Sequence, residues 1–182
     1  MSALATAVGP HVFWITSRAA GTAALFLSSA SVSVGLLMGR RLVRGRGPDL
    51  RALHEALSLA TIAALLVHGL SLLGDHYVHV SLAEISIPFL SHYKTGWTAV
   101  GIVSAWALIL LAPSYYVRRA IGQERWRKLH RFTALAWVAG LVHSLGEGTD
   151  AGSIWFLTMA ALTTLPAFVM LILRNFQAST AQ

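Results

Sequence analysis

A helix that crosses the ~30 Å hydrocarbon core of a bilayer needs ~20 largely apolar residues, and five stretches of this chain have that character. They are Val12–Met38, Leu53–Leu73, Gly96–Leu111, Leu129–Leu145 and Ile154–Leu173. The first is long and rich in Ala, Ser and Gly, the third is closed by Pro113, and the fourth is the least hydrophobic. A soluble helical bundle would carry a polar stripe on each helix, and these segments mostly lack one. Composition agrees. The 182 residues are 55% hydrophobic and 12% charged, about half the charge of a soluble domain. The expected fold is therefore an all-α integral membrane protein, a bundle of about five transmembrane helices.

Charge placement sets the expected topology. The net charge of +7 would raise the question of nucleic acid in a soluble protein. Here 12 of the 14 basic residues fall on one side of the spans. Arg40, Arg41, Arg44, Arg46 and Arg51 separate the first two spans. Arg118, Arg119, Arg125, Arg127, Lys128 and Arg131 separate the third and fourth, and Arg174 follows the fifth. Only Arg18 and Lys94 lie towards the other side. The positive-inside rule then puts the N-terminus outside and the C-terminus inside, with membrane lipid rather than nucleic acid as the surrounding partner. The expected organisation is an outer segment over residues 1–11, one transmembrane domain over 12–175 and a short inner tail over 176–182. No cleavable signal peptide is expected, since the first eleven residues have no basic start. The outer stretch Ser81–Leu90 is apolar but too short to span, and reads as an interfacial or re-entrant piece. No internal repeat is evident.

Spans two and four resemble each other in the residues that carry chemistry. Span two holds His54 and His68, separated by 14; span four holds His130 and His143, separated by 13. Ionisable residues inside a span are costly and mark functional sites. Both spans run from inside to outside, so His54 and His130 share the inner level and His68 and His143 the outer. Each pair member is ~20 Å from the other histidine of its own helix, at ~1.5 Å per residue. Two parallel helices with matched histidines can offer one axial imidazole to each face of a flat haem, at two stacked sites. No carboxylate accompanies them as in di-iron bundles. The absence of cysteine excludes thiolate zinc, iron–sulfur and covalent c-type haem. Fourteen residues return to within about 40° of the same helix face, whereas thirteen do not. Span four therefore needs a local irregularity, expected as a π-bulge near Gly140.

The pattern resembles the ferric reductase-like transmembrane domain family, the membrane haem unit of ferric reductases, NADPH oxidases and related bacterial haem-binding subunits. The resemblance rests on H-x13-H in one span, on WRKLH-x12-H in a later one followed by GEGTD at Gly146–Asp150, on IPFLSHYKTGWTAVG from Ile87 to Gly101, and on Arg18 followed by Ala20 and Gly21. It covers most of residues 12–173. It implies two b-type haems per chain, the inner iron held by His54 and His130 and the outer by His68 and His143. It also implies transmembrane electron transport, as an oxidoreductase component of a bacterial cytoplasmic membrane. The donor would be a separate flavoprotein or a quinol. The acceptor would be ferric iron, oxygen or an extracytoplasmic partner protein. The family usually has six spans, one more than expected here. No flavin or nicotinamide site is expected in this chain, because no G-x-G-x-x-G follows a predicted strand. The alternative is a non-catalytic subunit that anchors and feeds a separate soluble reductase.

Propionates are anionic and call for cationic partners. Arg18, in the outer half of span one, either pairs with an outer propionate or snorkels to headgroups; Lys94 and Tyr93 are weaker candidates. On the inner side Arg51, Arg127 and Arg131 are nearest the ligands, in competition with lipid contact. His76, His79 and His92 cluster in the outer loop and read as solvated residues or as a metal-substrate entrance. Trp14, Trp97, Trp126 and Trp155 read as interface anchors. Trp106 and Trp137 lie deeper, packing against helices or haem.

Overall fold

The computed structural model describes residues 11–39, 47–75 and 78–179, with side chains through residue 173. Arg40, Arg41, Arg44, Arg46 and His76 lie outside the described residues, as does most of the expected segment 1–11. All regular structure among the described residues is helical. The order is α1 (Val12–Gly39), α2 (Gly47–Leu72), α3 (Leu82–Ser86), α4 (Thr95–Leu111), a 3-10 turn at Pro113–Tyr115, α5 (Arg118–Ile121), α6 (Gln123–His130), α7 (Phe132–Glu147) and α8 (Ile154–Ser179). Among the described residues, four helical stretches are long and apolar enough to cross a membrane: Val12–Gly39, Gly47–Leu72, Thr95–Tyr115 and Ile154–Leu173. At 16 residues α7 falls short of that length on its own. Helix α8 runs unbroken past residue 175 to Ser179, so no helix end marks the tail boundary expected there.

Local chemistry explains the boundaries. Pro48 and Asp49 sit in the first turn of α2, where a missing N–H costs nothing and an acidic side chain meets the helix dipole. Ser81 and Glu84 form a reciprocal capping box on α3. Pro113 follows α4 and opens the 3-10 turn. Gly122, at φ +89°, makes the corner between α5 and α6 in a backbone region where a side chain would be strained.

Helix α1 is the spine. It packs along α2 on one side and along α7 and α8 on the other, while α4 packs along α7. Its buried positions are mostly small, Ser17, Ala24, Ser28, Ser29 and Ser31 among them. Small side chains let helix backbones approach closely where water supplies no hydrophobic drive. Leu25 packs with Phe156 and Ala160. Trp137 is buried, packs on Phe168 at 4.8 Å between ring centres, and donates its indole N–H to Ser29 Oγ at 2.9 Å. Large apolar side chains such as Leu66, Leu70, Leu110, Leu135 and Leu162 face outward, as lipid-facing residues do.

The outer stretch after α2 does not simply lie across the end of the bundle. Trp106, eleven residues into α4, donates its indole N–H to the Ser86 carbonyl at 2.8 Å. The end of α3 therefore lies against the side of α4 rather than only at its N-terminal end. Trp106 serves this latch and Trp137 serves helix packing.

The irregularity expected at Gly140 is elsewhere. Helix α7 is continuous α-helix through Gly140, and the break falls at Arg131, between α6 and α7. Gly140 instead gives room for α4. A Cβ there would lie 2.9 Å from Ser104 Oγ, and Ser104 bonds the Ala136 carbonyl one turn away. The break sits immediately after His130.

Candidate functional site

The four histidines come together as two pairs. His54 of α2 and His130 of α6 have ring centres 6.1 Å apart, with ring planes at 83°. His68 of α2 and His143 of α7 have ring centres 6.3 Å apart, with planes at 69°. The first pair lies at the end of the bundle carrying the described basic residues Arg51 and Arg118–Arg131 and is the inner pair of the expected topology; the second is the outer pair. The α2 and α7 backbones stay largely apart, and the imidazoles reach across the space between them.

These spacings can be compared with what one metal ion requires. An imidazole nitrogen sits ~2.0–2.1 Å from a bound metal and roughly 1.1 Å from its own ring centre, so two imidazoles on opposite sides of one metal place their ring centres roughly 6.3 Å apart. Both pairs match that separation.

The hydrogen bonds fix which nitrogen faces the gap. His68 Nδ1 donates to the Ser17 carbonyl at 2.8 Å, and His54 Nδ1 to the Ser31 carbonyl at 2.9 Å. His143 Nδ1 donates to the Trp97 carbonyl at 2.9 Å. A carbonyl can only accept, so these three rings carry their proton on Nδ1 and keep the lone pair on Nε2. That is the tautomer an axial ligand needs, oriented through its other ring nitrogen. His130 differs. Its Nδ1 is buried and directed at the Leu111 carbonyl, but closes no hydrogen bond. Its ring instead stacks on Trp126, one turn earlier, at 5.2 Å between centres and 27° between planes.

Glycines make the space for three of the rings. A Cβ on Gly101 would lie 2.5 Å from His143 Nδ1, one on Gly21 2.9 Å from His68 Nδ1, and one on Gly35 3.1 Å from His54 Cε1. Each approach is closer than ordinary van der Waals contact.

The inner pair is flanked by two clefts that share His54, His130, Gly35 and Ala112. One is about 240 Å³ and extends past Tyr115, Tyr116 and Trp126, with Arg51 and Glu55 at its wall. The other is about 150 Å³, with Arg131 at its wall. The donor set, the ring separation and the glycine notches of both pairs are compatible with a bis-imidazole haem, and at the inner pair so are the flanking clefts. Among the described residues no group of three or more His, Cys, Asp or Glu is placed to hold a bare metal ion.

The cationic residues separate. Arg51 and Arg131 line the inner clefts, one on each side, whereas Arg127 is exposed and lines neither. Arg18 forms an ion pair with Asp150 and lays its guanidinium 4.1 Å from the Trp14 ring centre. Lys94 donates to the Gly146 and Glu147 carbonyls, closing the C-terminal end of α7 where a cation is favoured. His79 and His92 are exposed on the outer loop. Sequence reasoning missed the partners: Ser17, Ser31 and the Trp97 carbonyl, and Trp126 as a ring partner rather than only an interface anchor. No family model, curated protein or solved structure matches the chain.

Proposed function

We propose that this chain is the membrane haem unit of a ferric reductase-like electron-transfer system, holding two b-type haems and passing electrons across a bilayer. The observation that carries the reading is the doubled pair of crossed histidines, at 6.1 and 6.3 Å between ring centres, with α2 on one side and α6 and α7 on the other. Bound at both pairs, the haems would supply two one-electron carriers in series between an inner donor, a flavoprotein or quinol, and an outer acceptor such as ferric iron, oxygen or a partner protein.

The chain's own residues have distinct parts in this. His54 and His130 would hold the inner iron and His68 and His143 the outer, ~21 Å apart along α2 at 1.5 Å per residue. Arg51 and Arg131, at the walls of the two inner clefts, would neutralise the propionates there. Arg18, ion-paired with Asp150, would be the cationic residue nearest at hand for an outer propionate. In the membrane α7 crosses as a fifth span, extended by the last turn of α6, with the N-terminus outside and the C-terminus inside.

The test is the reduced-minus-oxidised spectrum and haem content of purified protein. Two haems per chain with bis-histidine b-type bands are expected. His54→Ala should remove the inner haem alone and His68→Ala the outer alone. A chain that binds no haem, or variants that lose neither, would overturn the reading.

A further inference from the structure

Helix α1 carries the same five-residue device twice, Ser17–Gly21 and Ser31–Gly35, fourteen residues apart. His54 and His68 are also fourteen apart, and α2 runs antiparallel to α1, so each device meets one histidine. At the outer level Ser17 presents its carbonyl 2.8 Å and its hydroxyl 3.0 Å from His68 Nδ1, while the same hydroxyl donates to the His68 carbonyl at 3.0 Å. At the inner level Ser31 presents its carbonyl 2.9 Å and its hydroxyl 3.1 Å from His54 Nδ1. There the return bond runs through Ser58, which touches Ser31 Oγ at 2.8 Å and donates to the His54 carbonyl at 2.7 Å. In both places the glycine one turn on leaves room for the ring, with a Cβ at 2.9 Å or 3.1 Å. Ser17 and Ser31 are both buried.

We propose that these two Ser–Gly pairs on α1 are the positioning elements of the haem ligands, setting the Nδ1–H tautomer and the electron-richness of His68 and His54 separately at each level. The inference rests on the haem reading of the same histidines. An Nδ1–H that donates to two oxygens gives the ring more imidazolate character, and a more basic ligand favours the oxidised metal. The α2 ligands have two acceptors each. On the facing side His143 has one, the Trp97 carbonyl, and His130 has none. The outer site thus receives three acceptor contacts to its ligands in all from Ser17 and Trp97, and the inner site two from Ser31 alone. The outer haem is accordingly the one with the lower midpoint potential, an ordering reinforced by Arg51 and Arg131 beside the inner site.

The experiment is a redox titration of the haem-loaded protein with Ser17→Ala and Ser31→Ala, together with histidine ¹⁵N NMR of the chain in lipid nanodiscs. The alanine variants keep the carbonyl acceptor and so keep both haems. Ser17→Ala should raise the midpoint of the lower-potential step only, and Ser31→Ala that of the higher step only. Ser→Thr at either position, which restores the hydroxyl, should return the potential. The NMR spectrum of the wild-type chain without haem should show Nδ1–H for His54 and His68, a readout that needs neither a variant nor the cofactor. Unchanged potentials in both alanine variants, or an Nε2–H tautomer at either histidine, overturn the proposal while leaving haem binding intact. Loss of haem from wild type overturns instead the reading on which it rests.

Discussion

The inner and outer histidine pairs use the same residue type on the same two sides of the bundle, yet they are built differently. Both outer rings are hydrogen-bonded to carbonyls and backed by tight glycine notches at Gly21 and Gly101. At the inner pair only His54 has that support. His130 is held by the Trp126 face, and the pair opens into clefts walled by Tyr115, Tyr116, Arg51 and Arg131. Backbone hydrogen bonds and helix contact fix the outer rings, whereas side-chain packing fixes one of the inner ones. The outer site should therefore fail abruptly when its shape changes. The inner site should degrade gradually and respond to what binds in its clefts.

The largest expected effect lies in the glycine notches. Gly101→Ala drives a methyl into the His143 ring, and Gly35→Ala only presses the His54 ring edge. Overpacking of the first kind costs ~1–3 kcal/mol, so outer-haem retention should fall about tenfold or more in Gly101→Ala. Gly35→Ala should keep most of its inner haem. Haem content per chain after detergent washing measures both. Equal losses would erase the proposed contrast between a backbone-fixed and a packing-fixed site.

A smaller effect sharpens it from the inner side. Trp126→Leu removes the stack on His130 and the contact with Tyr115 at 5.8 Å. An aromatic pair is worth ~0.5–1.5 kcal/mol beyond area burial, so inner-haem affinity should weaken about fivefold with the outer site unchanged. Titration of the apoprotein with haem resolves the two steps. Smaller again is the outer latch. Asp150→Asn takes away the partner of Arg18, a partly exposed pair worth ~0.2–1 kcal/mol. A drop of one or two degrees in melting temperature, without a change in the inner-haem spectrum, is the expected result. A shift in the inner spectrum would show that α1 transmits strain between the levels.

The sequence made the spans legible through hydropathy, and it made the pairing of the histidines legible through depth. Parallel helices with matched positions left only one sensible partnering, and the rings meet in that order. The fine structure was less legible, for a physical reason. A spacing of thirteen residues says that a helix must deviate but not where. The structure puts the deviation at Arg131, beside the ring that has to turn, because α7 is needed intact for its contact with α4 through Gly140 and Ser104. The partners of the histidines were hidden because two of the three are backbone carbonyls with a nearby serine hydroxyl, which composition does not advertise. The signal was nevertheless present as S-x-x-x-G twice at the same fourteen-residue interval as the histidines. It becomes meaningful only once α1 and α2 are known to be antiparallel neighbours. Arg18 shows the opposite case: its place in a span marked it as important, but the carboxylate that meets it lies 132 positions away in a loop.

The weakest effects lie at the two rims and should run in opposite directions with pH. At the outer rim the Ser81 backbone and hydroxyl hydrogens hold the Glu84 carboxyl below its ordinary range. A depressed carboxyl contributes stability above its unfolded pKa and loses it as pH falls through the lower folded value. The cap on α3 should therefore loosen in acid. At the inner rim the Tyr116 hydroxyl donates to Glu55 at 2.5 Å, which raises the phenol above its ordinary range. A raised group contributes stability below its unfolded pKa and loses it as pH rises through the higher folded value, so this tie between α2 and the turn after α4 should open only in strong alkali. Hydrogen exchange over residues 81–87 should quicken on acidification while residues 113–117 stay protected, and the order should reverse at high pH. Glu84→Gln and Tyr116→Phe should each abolish one of the two responses and leave the other. If a single variant abolished both, the two ends of the bundle would be one cooperative unit, and the contrast between a rigid outer site and an adaptable inner one would lose its structural basis.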